Sequence, residues 1–458
     1  MGTLWHPFAD MSAVDGHELV IVAGEGARLR AADGREFLDA TAALWFNNVG
    51  YGRTEIADAA DAQMRTLAAY SNFGPFATGP TIALADRLSA LSPQEDCKVF
   101  FTSGGSDAVD TAVKMVRRYW DLMGAPERTW IITRDRAYHG MHMAGTSLAG
   151  IAANKTGHGN LDTRVAHVAW DSADELAATI DAIGAENVAA FFCEPVIGSG
   201  GVYPPLAGYL DAVRAVCRER GVLFVADEVI TAYGRVAAMT ASQRWHLDPD
   251  LILTAKGLTS GYLPMGAVLV AGRIAEPFWQ PSAGMWRHGY TYSGHAAAAA
   301  VAMANLDIIE GEGLIERVDG LQPEMTRVFG PLARHAHVAE VRSGVGLLVA
   351  VQIRPELLAQ DPGYGTRLVL ALRERGVLTR MLADGSIQVS PPFVISEADL
   401  VAIADAIDGA LRAMGSSVPA AARTLDVTLL PEQTRDDEGG FDSSDARLRA
   451  EVPPHHMG

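Results

Sequence analysis

From about residue 55 the chain alternates short apolar runs with longer amphipathic stretches. That alternation limits the possible folds more than any other feature. Residues 79–91, 106–122 and 208–220 show helical spacing of their apolar positions, which predicts helices. Between them, residues 98–101, 129–133, 188–193 and 222–225 are short and rich in Val, Ile and Phe, so strands are expected. Strands that alternate with helices imply an α/β fold with a largely parallel sheet covered on both faces.

Outside this stretch the pattern changes. Residues 18–40 alternate apolar and polar groups, and 27–38 suggest a hairpin turning at Asp33-Gly34. Residues 295–329 and 397–413 read as helices, and 345–352 and 386–389 as strands. The expected division is an N-terminal segment, 1–54, joining a small α/β domain at 301–415, with a large domain at 55–300. Residues 416–458 form a polar tail, expected to be partly disordered, in which 424–430 could add a strand.

Composition excludes several function classes. A net charge of −18 leaves no basic surplus for phosphate backbones, which argues against general nucleic-acid binding. The three cysteines include no Cys-x-x-Cys pair, so a zinc ribbon or thioredoxin chemistry is not expected. The first residues lack the basic start and apolar core of a signal peptide, and no apolar run approaches a membrane span. A cytoplasmic protein is therefore expected.

Four polar islands fall at the carboxyl ends of predicted strands, where open α/β sheets place ligands. Residues 101–110 join a strand to a helix through Ser103-Gly104-Gly105-Ser106. Small residues there let an anion approach the unpaired N–H groups of the new helix, with Gly105 and Ser106 best placed for a phosphate. A plain tight turn capped by Ser106 or Asp107 is the alternative. Tyr138 follows the next strand and could stack on a flat ring or pack in the core. His139 and His142 beside it lack a third ligand, so no metal site is expected. Asp227 lies in Val-Ala-Asp-Glu-Val, as either a ring-facing carboxylate or part of an acid pair capping a loop. Lys256 ends the run from Leu251. An amine there is desolvated, which suits Schiff-base chemistry. The phosphate turn, aromatic, acid and lysine, in that order, make pyridoxal phosphate (PLP) the expected cofactor.

On these residues the chain resembles the class III (ω-) aminotransferases, among the fold-type I PLP enzymes typified by aspartate aminotransferase. The motifs that carry the resemblance begin with Leu44-Trp45-Phe46, Gly105-Ser106-Asp107, Tyr138-His139-Gly140 and the stretch from Glu194 to Val202. They continue with Asp227 to Arg235, Ala255-Lys256-Gly257 and His288 to His295. The resemblance implies that Lys256 bears the cofactor and moves a proton, while Asp227 pairs with the pyridine nitrogen. Val229 and Tyr138 would flank the ring, and Gly105 and Ser106 would hold the phosphate. Glu194 would lie near the ring oxygen and Asp227. Thr291 would reach a phosphate in the neighbouring subunit, which implies a homodimer or larger assembly with shared sites.

Departures from the family pattern narrow the subgroup. Ser103 and Gly104 depart from the usual Asn-Ser, and Ala296 stands where proline is common. Ser199 occupies the place of a glutamate that ornithine- and 4-aminobutyrate-type relatives often carry. Trp45 and Arg380 fit the pyruvate-dependent ω-transaminases, with Phe76 as a further pocket residue or a core residue. Arg380 could clamp a keto acid and swing away for an apolar amine, or form a surface salt bridge. The expected activity is transfer of an amino group from a primary amine or ω-amino acid to a keto acid, pyruvate, in two half-reactions, with (S)-amines preferred. A decarboxylase, racemase or aminomutase, or a catalytically silent scaffold, is the alternative.

Overall fold

A computed structural model of the chain describes residues 2–14 and 16–416. The tail expected at 416–458, with its possible strand at 424–430, lies outside the described residues except for Ser416. Fourteen strands are present among them. The first three are β1 (Ile21–Glu25), β2 (Arg28–Ala31) and β3 (Glu36–Asp39). Then come β4 (Lys98–Thr102), β5 (Trp130–Arg134), β6 (Val165–Val168), β7 (Val188–Cys193), β8 (Leu223–Asp227), β9 (Leu251–Thr254) and β10 (Gly266–Val270). The last are β11 (Val338–Val345), β12 (Leu348–Ile353), β13 (Val377–Leu378) and β14 (Ser386–Val389).

Strands β4 to β10 form one seven-stranded sheet in the order β4-β10-β9-β8-β7-β5-β6. All its pairings are parallel except those of β10, which runs antiparallel to β4 and β9. The exception has a simple cause. Residues 255–265, with one short 3-10 helix at Lys256–Leu258, are all that joins β9 to β10, and a parallel return needs a full crossover. Every residue of β7, β8, β9 and β10 is buried. In β8, Leu223 and Val225 pack with the helix Gly105–Leu122 on one face, while Phe224 and Ala226 join the larger core on the other. Both alternating sets are apolar because both faces are covered, so these strands read as continuous apolar runs.

Smaller sheets complete the fold. Strands β1, β2, β3 and β13 form one, with β13 parallel to β3, and β11, β12 and β14 form another. The expected hairpin appears as β2 and β3, joined through Asp33-Gly34. The helical stretch expected over 295–329 is divided into two helices, Ala296–Gly311 and Leu314–Phe329. Gly313, at φ 60°, makes the break, in a conformation glycine adopts without steric cost. The strand expected over 345–352 is corrected, because β11 and β12 turn at Gly346 (φ 51°) within that span. No helix among the described residues is long and apolar enough to cross a membrane.

Candidate active site

The parallel sheet sets the site. Strands β4, β5, β7, β8 and β9 run in the same direction, so their carboxyl ends open on one edge. At or just beyond those ends come Gly105 and Ser106, Tyr138, Glu194, Asp227 and Lys256 respectively. Residues scattered over about a third of the sequence thus meet because strand direction, not local spacing, places them.

Asp227 is the last residue of β8 and only 4% exposed. One carboxylate oxygen accepts the Val229 N–H at 3.1 Å, and the other lies 2.7 Å from His139 Nδ1. The second ring nitrogen of His139 meets Thr133 Oγ1 at 3.0 Å. His139 is fully buried, and its partnership with Asp227 gives it a purpose that the sequence did not reveal. Glu194, also 4% exposed, accepts the backbone N–H groups of Tyr138 (2.9 Å) and Gly198 (3.0 Å). Burial pushes its carboxyl above the usual range, with nearby Asp227 adding to the rise and His139 opposing it. Fully buried Arg134 donates to the Glu194 carbonyl and so fixes that corner from beneath.

Lys256 sits just past β9 with φ 42°, a strained conformation for a non-glycine residue. Its amine is pulled down to about 8 by burial; the attraction of Asp227 and Glu194 opposes this, and Arg380 adds to it. The Lys256 Nζ lies 5.9 Å from the centre of the Trp45 ring, and the Arg380 guanidinium lies 4.5 Å over that ring. Arg380 Nε donates to Gln388 Oε1 at 2.8 Å, and no carboxylate pairs with it among the described residues. The surface salt-bridge alternative for Arg380 therefore fails. Burial draws its guanidinium down to about 10.

Trp45 itself is 2% exposed and held in an unusual turn, with positive φ at Ala42 (46°), Ala43 (57°) and Trp45 (61°). Such backbone costs about 1–3 kcal/mol per residue and persists only when its surroundings enforce it. The buried Trp45 indole nitrogen has no hydrogen-bond partner among the described residues.

The helix Gly105–Leu122 begins at the end of β4, and its first bond along the axis runs from Ala108 N to the Gly104 carbonyl. The N–H groups of Gly105 and Ser106 are left facing the sheet edge. A Cβ on Gly105 would come within 2.9 Å of Val229 Cγ1, so the valine packs against this turn. Ser106 Oγ accepts the Met141 N–H (3.1 Å), tying the turn to the loop that carries Tyr138. Asp107 caps the turn by accepting Ser103 N–H at 3.0 Å.

Two candidates stand apart. Thr291 is exposed at the turn 290–293, and no hydrogen bond or ring contact links it to the others. Phe76 is 53% exposed and meets Tyr70 edge-on, so the core-packing reading of Phe76 is incorrect within this chain.

The sequence profile of aminotransferase class-III matches residues 11–411. The chain belongs to that family. Among its class-III relatives, a putrescine–pyruvate aminotransferase of Pseudomonas aeruginosa is 37% identical, over 83% of this chain and 88% of the relative. An amine transaminase from an uncultivated Pseudomonas species, solved in its PLP-bound (internal aldimine) form, superposes with a TM-score of 0.87. It is 35% identical, over 91% of this chain and 99% of that one. A thermostable (S)-enantioselective ω-transaminase from Thermomicrobium roseum is 38% identical, with a TM-score of 0.85 over 89% and 96% of the two chains.

The residues of this class-III aminotransferase fit PLP on their own chemistry. They offer a desolvated amine, a buried carboxylate oriented by a histidine and free N–H groups at the start of an 18-residue helix. The Trp45 indole N–H, without a partner among the described residues, lies beside them.

Proposed function

We propose that this aminotransferase moves an amino group from a primary amine to pyruvate, with PLP carried on Lys256. One observation carries the choice of substrates. The Arg380 guanidinium has no carboxylate partner among the described residues and is stacked on Trp45, the ring that also faces the amine-bearing lysine. A keto acid offers it a carboxylate, and an apolar amine offers the indole a flat or aliphatic face. The putrescine–pyruvate relative and the (S)-selective structural neighbour support the same reading, including its preference for (S)-amines.

PLP, when bound, supplies a carbonyl that captures amines and a ring that takes up an electron pair. Lys256 bears it and, as a free amine, takes and returns the proton at the substrate carbon. That role needs the neutral form, which its low-dielectric setting favours. Asp227, held in place by His139, is the carboxylate for the pyridine nitrogen. Val229 and Tyr138 are the two faces of the ring slot, and Glu194 fixes the Tyr138 backbone. Gly105 and Ser106 hold the phosphate with the helix N-terminus. Thr291 completes that phosphate site in a second copy, so the working unit is a homodimer, and Phe76 joins the substrate pocket only there. Residues 1–54 and 301–415 act together beside the large domain, 55–300, a reading supported by the pairing of β13 with β3.

The test is to incubate the PLP-loaded protein with (S)-1-phenylethylamine and pyruvate and follow alanine and acetophenone. Equal amounts of both are expected. Release of carbon dioxide, or racemisation of alanine without the amine, would overturn the reading.

A further inference from the structure

Asp39 lies at the end of β3 and is 1% exposed, yet no cation is paired with it among the described residues. Its carboxylate is nevertheless fully used. One oxygen accepts Thr41 N–H and Thr41 Oγ1–H, both at 2.9 Å. The other accepts Ala43 N–H at 2.7 Å and the Tyr51 hydroxyl at 2.6 Å. Thr41 and Ala43 belong to or flank the turn at Ala42, Ala43 and Trp45, whose positive φ angles are unfavourable for residues with a Cβ, while Tyr51 is anchored outside it by its bridge to Gly26. The same turn is continued by Trp45 N–H to the Thr41 carbonyl (3.0 Å) and by Phe46 N–H to the Ala42 carbonyl (3.0 Å). Ala40, next to the aspartate, bonds to Leu378 at the end of β13, two residues before Arg380, and to Ser390 just past β14, two residues after the Gln388 that accepts from Arg380. Asp39 thus sits where the turn under Trp45 and the segment carrying Arg380 are joined.

A strained turn relaxes unless something holds it. A carboxylate does this better than an amide, because it accepts at both oxygens and has no N–H to present to the Ala43 donor. We propose that Asp39 is a positioning residue for substrate choice, which holds the 42–45 turn so that the Trp45 indole lies against both Lys256 and Arg380. This rests on the reading of Trp45 and Arg380 as the substrate pocket. Asp39 touches neither substrate nor cofactor and acts through the indole. Loosening its clamp therefore affects recognition of both substrates rather than loading of the cofactor.

The experiment compares PLP-loaded wild type with Asp39→Asn, Tyr51→Phe and Trp45→Ala, following the two half-reactions separately. For Asp39→Asn, KM for (S)-1-phenylethylamine and for alanine is expected to rise about tenfold, from loss of one to two hydrogen bonds' worth of restraint. The visible absorbance of the lysine-bound cofactor and the kcat for a small amine such as isopropylamine should stay within about threefold of wild type. Tyr51→Phe removes one bond of the four and should raise the same KM values about threefold, which keeps the test available if Asp39→Asn does not fold. A folded, PLP-loaded Asp39→Asn with wild-type KM values, while Trp45→Ala changes them, overturns the role of Asp39. Wild-type KM values in Trp45→Ala instead overturn the pocket reading beneath it.

Discussion

Replacing Lys256 by methionine should make the cofactor-free protein more stable, although it abolishes function. The lysine amine is lowered from 10.5 to about 8 because burial outweighs the attraction of Asp227 and Glu194. Each unit corresponds to about 1.4 kcal/mol, so holding a proton there costs about 3 kcal/mol below pH 8. Methionine keeps an unbranched stem of similar reach and carries no charge to desolvate. The sign with pH follows from linkage. Between pH 8 and 10.5 the unfolded chain binds the proton that the folded lysine has lost, so wild-type stability climbs with pH through that window. The advantage of Lys256→Met should therefore be about 3 kcal/mol at pH 7 and shrink to under about 1 kcal/mol above pH 10. Urea unfolding of both proteins, stripped of PLP and matched in protomer concentration, measures this directly. Equal stability at pH 7, or a gap that does not change with pH, would refute the idea that Lys256 is kept at a desolvation cost.

Three other perturbations probe different parts of the site. His139→Phe removes a buried bond to a carboxylate worth about 1.5–3 kcal/mol, so the amine half-reaction should slow about 10- to 100-fold in stopped-flow bleaching of the cofactor, with PLP still attached to Lys256. Arg380→Ala should lower kcat/KM for the alanine half-reaction about 100-fold while leaving that for 1-phenylethylamine within about threefold, because only the former presents a carboxylate. Glu228→Ala strands the buried N–H groups of Ala241 and Ser242 and both hydroxyls of Thr231 and Ser242. A loss of about 2–4 kcal/mol is expected by urea unfolding, without a change in the substrate KM ratio.

The large sheet was legible because its strands are buried on both faces and its helices on one. Residues 188–193 and 386–389 read from the sequence have the bounds of β7 and β14. β10 was missed although it is equally buried. Glycines at 261 and 266 resemble turn residues in the sequence, yet Gly266 opens a strand, where a Cβ would meet Thr102 Oγ1 at 2.6 Å across the β4 pairing. The placement of Gly105, Tyr138, Glu194, Asp227 and Lys256 on one edge followed from strand direction alone. The pairing of His139 with Asp227 did not, since the two are 88 residues apart and nothing local in either marks the other. Asp39 was silent for a related reason: the backbone strain it restrains exists only once residues 41–45 have folded.

The central claim is that Lys256 joins PLP in a site that exchanges amino groups between an amine and pyruvate. Its most direct test is a single titration of the PLP-loaded protein with (S)-1-phenylethylamine, read by visible absorbance, followed by pyruvate. The account predicts that the band of the lysine-bound cofactor is lost with the amine, returns with pyruvate as alanine forms, and is absent throughout in Lys256→Ala. A band that survives in Lys256→Ala, or one that pyruvate does not restore in wild type, would contradict it.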